Sequence, residues 1–171
     1  MKILLTGATG YIGKRLLPNL VKEGHHVVCC VRDISRFHPP TSLIKNISII
    51  EVDLLINSSL DKIPDDIDIA YYLVHSMSSS GNYSLLEEKS AINFREKISK
   101  TSAKQVIYLS GIVNERNLSK HLLSRKNVEN ELGKGEYKLT CLRAGIIIGS
   151  GSASFEIMRD LVEKLPIMVA P

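Results

Sequence analysis

The chain has 171 residues, 44% of them hydrophobic and 5% aromatic, with a net charge of +4; that length points to one domain with enough apolar material for a core. The basic excess is mild, with a pI near 8.9, and Lys and Arg are scattered, so no concentrated cationic face for nucleic acid is expected. No run approaches the ~18 apolar residues of a membrane span, residues 3–5 form too short an apolar run for a signal peptide, and the three cysteines lack paired spacing, which together give the expectation of a reducing, cytoplasmic location.

In chain order, residues 3–5 read as a short buried strand, followed by Gly7, Gly10 and Gly13 in the spacing G-x-x-G-x-x-G. Residues 11–23 read as a helix with Ile12, Leu16, Leu17, Leu20 and Val21 on one stripe and Gly24 as its stop. Pro18 falls inside it and should remove one hydrogen bond. Residues 27–31 are a second apolar strand; Cys29 and Cys30 there point to opposite faces, so they do not share a metal. Residues 34–42 read as loop. Residues 47–52 form a third strand ending at Asp53, and Leu60 falls on a short helix. Residues 67–74 form a fourth strand, leading into a serine-rich loop over 75–82. A long helix follows over 83–101, with Leu85, Ala91, Ile92 and Ile98 available for its buried side. A fifth strand runs over 105–109. The next helix covers 118–134, with Leu118, Leu122, Val128 and Leu132 apolar. A sixth strand spans 139–144 and a last helix 154–165.

Strands that are near-continuous apolar runs, alternating with helices, specify a parallel sheet covered on both faces. The expected fold class is therefore α/β: a doubly wound parallel sheet (Rossmann fold) in three layers, with strand order 3-2-1-4-5-6. The glycine turn gives the first functional reading. Glycine lets backbone approach a ligand closely, and the helix behind it aims free N–H groups and its positive dipole end over the turn. That combination suits the pyrophosphate of a dinucleotide.

Ligands of such sheets bind beyond the carboxyl ends of the strands. The candidate cofactor-binding residues are accordingly Gly7, Thr9, Gly10, Tyr11, Ile12, Gly13, Arg32, Asp53, Leu54, His75, Ser76, Arg125 and Gly145. Arg32 lies about 20 residues beyond the glycines, where an acid marks NAD and an Arg marks NADP. A guanidinium there grips a 2′-phosphate with two hydrogen bonds, so NADP is preferred and NAD is the alternative; Asp33 beside it leaves the choice open. Asp53 reads either as an acceptor for the adenine amino group or as a turn cap.

Together these residues resemble the short-chain dehydrogenase/reductase superfamily, in its extended and atypical branch. The turn TGATGYIG is close to that branch's TGATGFIG. Asp53 resembles its acid after strand three. The stretch Leu142-Arg143-Ala144-Gly145-Ile146 resembles its L-R-P-G-x, with Ala144 in place of Pro. The resemblance covers essentially the whole chain and implies a nicotinamide dinucleotide cofactor. The branch includes sugar-nucleotide epimerases, NADPH-dependent reductases and non-catalytic NADP(H) sensors.

The branch's Tyr-x-x-x-Lys signature, on the helix after strand five, is replaced here by His121-x-x-x-Arg125-x-x-x-Glu129. Spacing of four places these side chains on one helical face, which also fits ordinary exposed ion pairs. In the functional reading Arg125 holds ribose hydroxyls and His121 transfers a proton. Ser110 is the candidate for the branch's hydroxyl after strand five, although Val113 lies nearer its usual place. The catalytic candidates are thus His121, Arg125 and Ser110, with His75 as a contributor. The expected activity is that of an NADP-dependent oxidoreductase or an epimerase-like enzyme acting on an unidentified small molecule. The alternatives are a non-catalytic NADP(H)-sensing module and an interaction scaffold. Branch members continue into a further strand and a substrate-binding region. The expectation is therefore that residues 1–171 are the nucleotide-binding part of a longer protein. Oligomerisation is left open.

Overall fold

The computed structural model describes residues 1–75, 83–112 and 119–165. Six strands form one parallel sheet in the order β3-β2-β1-β4-β5-β6. They are β1 (Lys2–Thr6), β2 (His26–Val31), β3 (Ile47–Glu51), β4 (Ile69–Tyr72), β5 (Gln105–Gly111) and β6 (Lys138–Ala144). The helices are α1 (Tyr11–Lys22), α2 (Asn57–Leu60), α3 (Tyr83–Ile98), α4 (Lys120–Leu132) and α5 (Ala153–Lys164). The doubly wound order expected from the sequence is the one observed. Residues 34–42, read as loop, carry one short 3₁₀ turn, Ile34–Arg36, and the start of a second, Thr41–Asn46.

The alternation of side chains along the strands divides the core in two. Ile3, Leu5, Val27, Cys29 and Val31 face the side on which Leu17 and Leu20 of α1 pack. Leu4, Val28, Cys30, Ala70, Tyr72, Val106 and Tyr108 face the other side, against Phe94 and Ile98 of α3 and Val128 and Leu132 of α4. Cys29 and Cys30 do lie in opposite layers. Arg95 of α3 pairs with Glu131 of α4 at 2.7 Å.

Pro18 stands inside α1 on the exposed side of the helix, beside Lys14 and Arg15. The hydrogen bond it removes is the one to the Lys14 carbonyl, which lies on the wet side and can be met by water.

The buried side of α3 departs from the expectation. Leu85 is 66% exposed, whereas Glu87, Ser90 and Asn93 are buried along with Ala91, Phe94 and Ile98. Apolar spacing misjudged this helix because Glu87 and Ser90 of its first turns line a cleft at the strand ends. On α4, Val128 and Leu132 are buried as expected and Leu122 is half-buried. Leu118 and the stretch 76–82 lie outside the described residues. Among the described residues no helix is long and apolar enough to cross a membrane.

A candidate dinucleotide site at the carboxyl ends of the strands

The first strand ends in a lock. Thr6 Oγ1 donates to the Tyr71 carbonyl at 2.9 Å and accepts from the Leu73 N–H at 3.2 Å. This ties the end of β1 to β4, so the glycine turn leaves the sheet from a fixed point. Gly7 then has φ +72°, a conformation that side chains with a Cβ adopt only at a cost of roughly 1–2 kcal/mol. Its carbonyl accepts from the Gly10 N–H at 2.9 Å, and α1 begins at Tyr11.

A cleft of about 470 Å³ opens beyond the strand ends, within the range of small-molecule sites. Its walls include Thr6, Gly7, Thr9 and Gly10 from the turn, Arg32 after β2, Asp53 and Leu54 after β3, His75 after β4, and Arg125 from α4. Eight of the sequence-derived candidates therefore meet in one place: Gly7, Thr9, Gly10, Arg32, Asp53, Leu54, His75 and Arg125. Glycine carries the geometry a pyrophosphate requires here. A Cβ at Gly10 would meet only the Gly7 carbonyl oxygen, at 3.2 Å, so the space over this residue is open to a ligand. The residues fit a dinucleotide in this respect.

Other candidates serve the frame of the site. A Cβ at Gly13 would come within 2.2 Å of the Gly7 carbonyl oxygen, so this glycine lets α1 pack onto the turn. Tyr11, Ile12, Gly13 and Gly145 are not in the cleft wall. The Tyr11 hydroxyl sits where a Cβ at Gly149 would be, 2.3 Å away, and the Arg15 guanidinium lies 3.8 Å over the Tyr11 ring. Arg15 also donates to the Ser150 carbonyl at 2.6 Å. The loop after β6 is thereby fastened to the start of α1. Ser76 lies outside the described residues, as does Val113.

Asp53 accepts from the Leu55 N–H at 2.9 Å through Oδ1, which is the turn-capping role, while remaining part of the cleft wall. The Leu54 carbonyl is held by Asn93 Nδ2 of α3 at 2.7 Å. Asp33 is occupied elsewhere: its Oδ1 accepts from the Ser35 N–H at 2.9 Å and from the Ser35 hydroxyl at 2.6 Å. These bonds, with the nearby Arg36 charge, hold its carboxyl below the usual range.

The catalytic candidates are arranged differently from the sequence expectation. Arg125 lines the cleft and donates weakly to the Leu109 carbonyl at 3.4 Å. Ser110 is 2% exposed, stands outside the cleft wall, and its Oγ has no hydrogen-bond partner among the described residues. His121 is not in the wall either. Its ring lies edge-on to His75, with centroids 4.9 Å apart. Burial, then the charges of His75 and Arg125, hold its pKa below the ordinary histidine value. Glu129 pairs with Arg143 of β6 at 2.5 Å, so this member of the His-Arg-Glu row makes an ordinary ion pair.

A charged cleft residue escaped the sequence reading. Glu87 of α3 is only 7% exposed and lines the cleft. It accepts from His75 Nδ1 at 3.0 Å and from the Ser124 hydroxyl of α4. No local signal in the sequence marks it, since its partners come from β4 and α4.

The model of a family described as NAD(P)H-binding matches residues 7–148. The chain belongs to the NAD(P)H-binding family. Its nicotinamide dinucleotide cofactor follows from that membership, in agreement with the resemblance to the atypical short-chain dehydrogenases/reductases. The fold of this family member is shared with a nucleoside-diphosphate-sugar epimerase from Staphylococcus aureus, at 18% identity and TM-score 0.70, over 84% of this chain and 50% of that one. It is also shared with UDP-glucuronic acid 4-epimerase from Bacillus cereus, solved with NAD, at 23% identity and TM-score 0.73, over 97% and 64%. A CDP-abequose synthase of Salmonella muenchen is 35% identical over 60 residues, which are 35% of this chain and 20% of that protein. The chain thus spans about half to two thirds of the solved relatives and matches a fifth of the curated one.

Proposed function

We propose that this chain is the dinucleotide-binding part of an NADP(H)-dependent oxidoreductase or epimerase-like enzyme. The observation that carries the reading is the cleft itself, with the open glycine turn on one side and Arg32 and Arg125 on others. Arg32 is exposed at the lip after β2, where its guanidinium suits a 2′-phosphate. The neighbouring acid, which would favour NAD, is engaged by Ser35 and is not in the cleft wall. Gly10 and Thr9 are assigned to the pyrophosphate, Asp53 and Leu54 to the adenine side, and Arg125 to the nicotinamide ribose, where a cation with several donors spans two hydroxyls. When bound, the nicotinamide supplies or accepts hydride. The substrate is a small molecule, and the residues that select it belong to a longer protein. The unpartnered apolar side chains of α5, among them Ile157 and Val162 at 60% and 61% exposure, support that last point.

Calorimetric titration of both cofactors tests the reading. NADPH is expected to bind more tightly than NADH, and Arg32→Ala to cost NADPH about 1.5–3 kcal/mol while leaving NADH nearly unchanged. Equal affinities in the wild type overturn the preference; a folded protein that binds neither overturns the assignment of the cleft.

A further inference from the structure

Burying a carboxylate is costly unless it is hydrogen-bonded or paired. Yet α3 buries Glu87 while exposing Leu85 and Leu86 beside it. Two elements converge on that carboxylate. His75 arrives from the carboxyl end of β4, and Ser124 from α4. His121, one turn before Arg125 on α4, packs its ring against His75. Tyr83 of α3 lies 6.3 Å from the His121 ring. Tyr72 and Tyr108 of the sheet line the same cleft as that carboxylate. Arg125 and His75 share the cleft wall with Glu87.

We propose that His75, aligned by Glu87, is the acid–base group of this site. The inference rests on the dinucleotide reading above, and moves the proton-transfer role from the helical Tyr place to the end of β4. A carboxylate on Nδ1 fixes which ring nitrogen carries the proton and how the ring is turned, leaving Nε2 for exchange. Among the described residues nothing hydrogen-bonds Nε2. Glu87 stays hydrogen-bonded to Nδ1–H while Nε2 gives up or takes a proton. His121 is unsuited to this role, because it stands outside the cleft wall; burial, then the charges of His75 and Arg125, favour its neutral form against the opposing charge of Glu87. Its contact instead limits rotation of His75.

The substrate class is a carbonyl compound or the corresponding secondary alcohol. In the reducing direction, a reduced nicotinamide dinucleotide, when bound, would supply the hydride for the new C–H bond at the carbonyl carbon. The C=O π pair takes the proton from His75 Nε2 and becomes O–H. The cofactor is oxidised, the carbonyl is reduced, neutral imidazole remains, and water returns its proton. The reverse direction takes the hydroxyl proton on Nε2.

The test uses the full chain as wild type, Glu87→Gln and His75→Gln, each checked for folding by circular dichroism. Imidazole ¹⁵N NMR near pH 8 reports the tautomer without any cofactor. The neutral wild type is expected to carry its His75 proton on Nδ1, and Glu87→Gln to lose that preference. A His75 proton on Nε2 in the wild type, or an unchanged tautomer in Glu87→Gln, overturns the proposal. Phenanthrenequinone, a reactive dicarbonyl, serves as the probe for NADPH oxidation. Both variants are expected to lose roughly 10²-fold in kcat, with Glu87→Gln keeping NADPH affinity within about twofold. Oxidation by His75→Gln within twofold of wild type overturns the proposal, as does no oxidation by a wild type that binds NADPH. A folded wild type that binds no cofactor overturns the dinucleotide reading instead, and the tautomer still decides the alignment by Glu87.

Discussion

A methyl group added at Gly13 would sit 2.2 Å from the Gly7 carbonyl oxygen and 2.9 Å from Ala8 Cα. Backbone cannot yield there cheaply, so Gly13→Ala is expected to destabilise the fold by about 1–3 kcal/mol, read as a lower urea midpoint. Gly10 is different. Its backbone is extended, at φ −76° and ψ 170°, and its nearest obstacle is 3.2 Å away. Gly10→Val should therefore fold with a near-native midpoint and lose dinucleotide binding in calorimetry, because the branched Cβ enters the space assigned to the pyrophosphate. Unchanged affinity would refute the phosphate role of the turn. Arg125→Ala should weaken NADPH binding about tenfold, the worth of one charged hydrogen bond at the low end, and Arg125→Lys should recover only part of it. The glycine spacing was legible because the motif is local. Glu87 was not, because nothing local distinguishes a carboxylate turned inward from one turned to water; its partners come from β4 and α4.

At the scale of elements, the inner strands read clearly because β1 and β2 are buried on both faces, whereas the edge strands β3 and β6 are largely half-buried or exposed. Helix boundaries and buried sides read less well. The buried half of α3 that packs on the sheet does obey apolar spacing: Phe94 is fully buried, and its ring meets Tyr72 edge-on at 4.9 Å. Phe94→Ala is expected to cost roughly 3–5 kcal/mol by urea denaturation. Toward the cleft the same helix follows hydrogen bonding instead. The α3–α4 contact also carries a pH dependence. Lys134 first, and then Arg95, hold the Glu131 carboxyl below its usual pKa. A carboxyl depressed in the folded state stabilises above its unfolded pKa of about 4.3 and ceases to do so as pH falls through the lower folded value. Glu131→Gln should thus narrow the gap between the urea midpoints at pH 7 and pH 3, and an unchanged gap would remove Glu131 from the acid response.

Across the whole molecule, the two core layers share one sheet, and the cysteines report on its integrity. Burial pushes the Cys29 thiol up to about 12 and the Cys30 thiol higher still. Both sit in the inner strand β2, one in each layer. Neither should react with a thiol reagent at pH 8 until the sheet opens. Their labelling rates in urea should follow global unfolding, whereas labelling of Cys29 and Cys30 in the native protein would mean that β2 opens locally. The strand order was legible from alternation of strands and helices plus the position of the glycine turn. The joining of the loop after β6 to α1 was not, because it depends on a side chain reaching across 135 positions.

That contact between Arg15 and Ser150 sets an order in time. The turn and α1 are made of neighbours in the chain and can close early, whereas distant contacts must wait for loop closure. At roughly 5–20 residues per second, the ribosome needs on the order of ten seconds to travel from Arg15 to Ser150. During that interval the emerging chain has its glycine turn without the loop that later braces it. The start of α1 is therefore braced from the far end of the chain, late in synthesis.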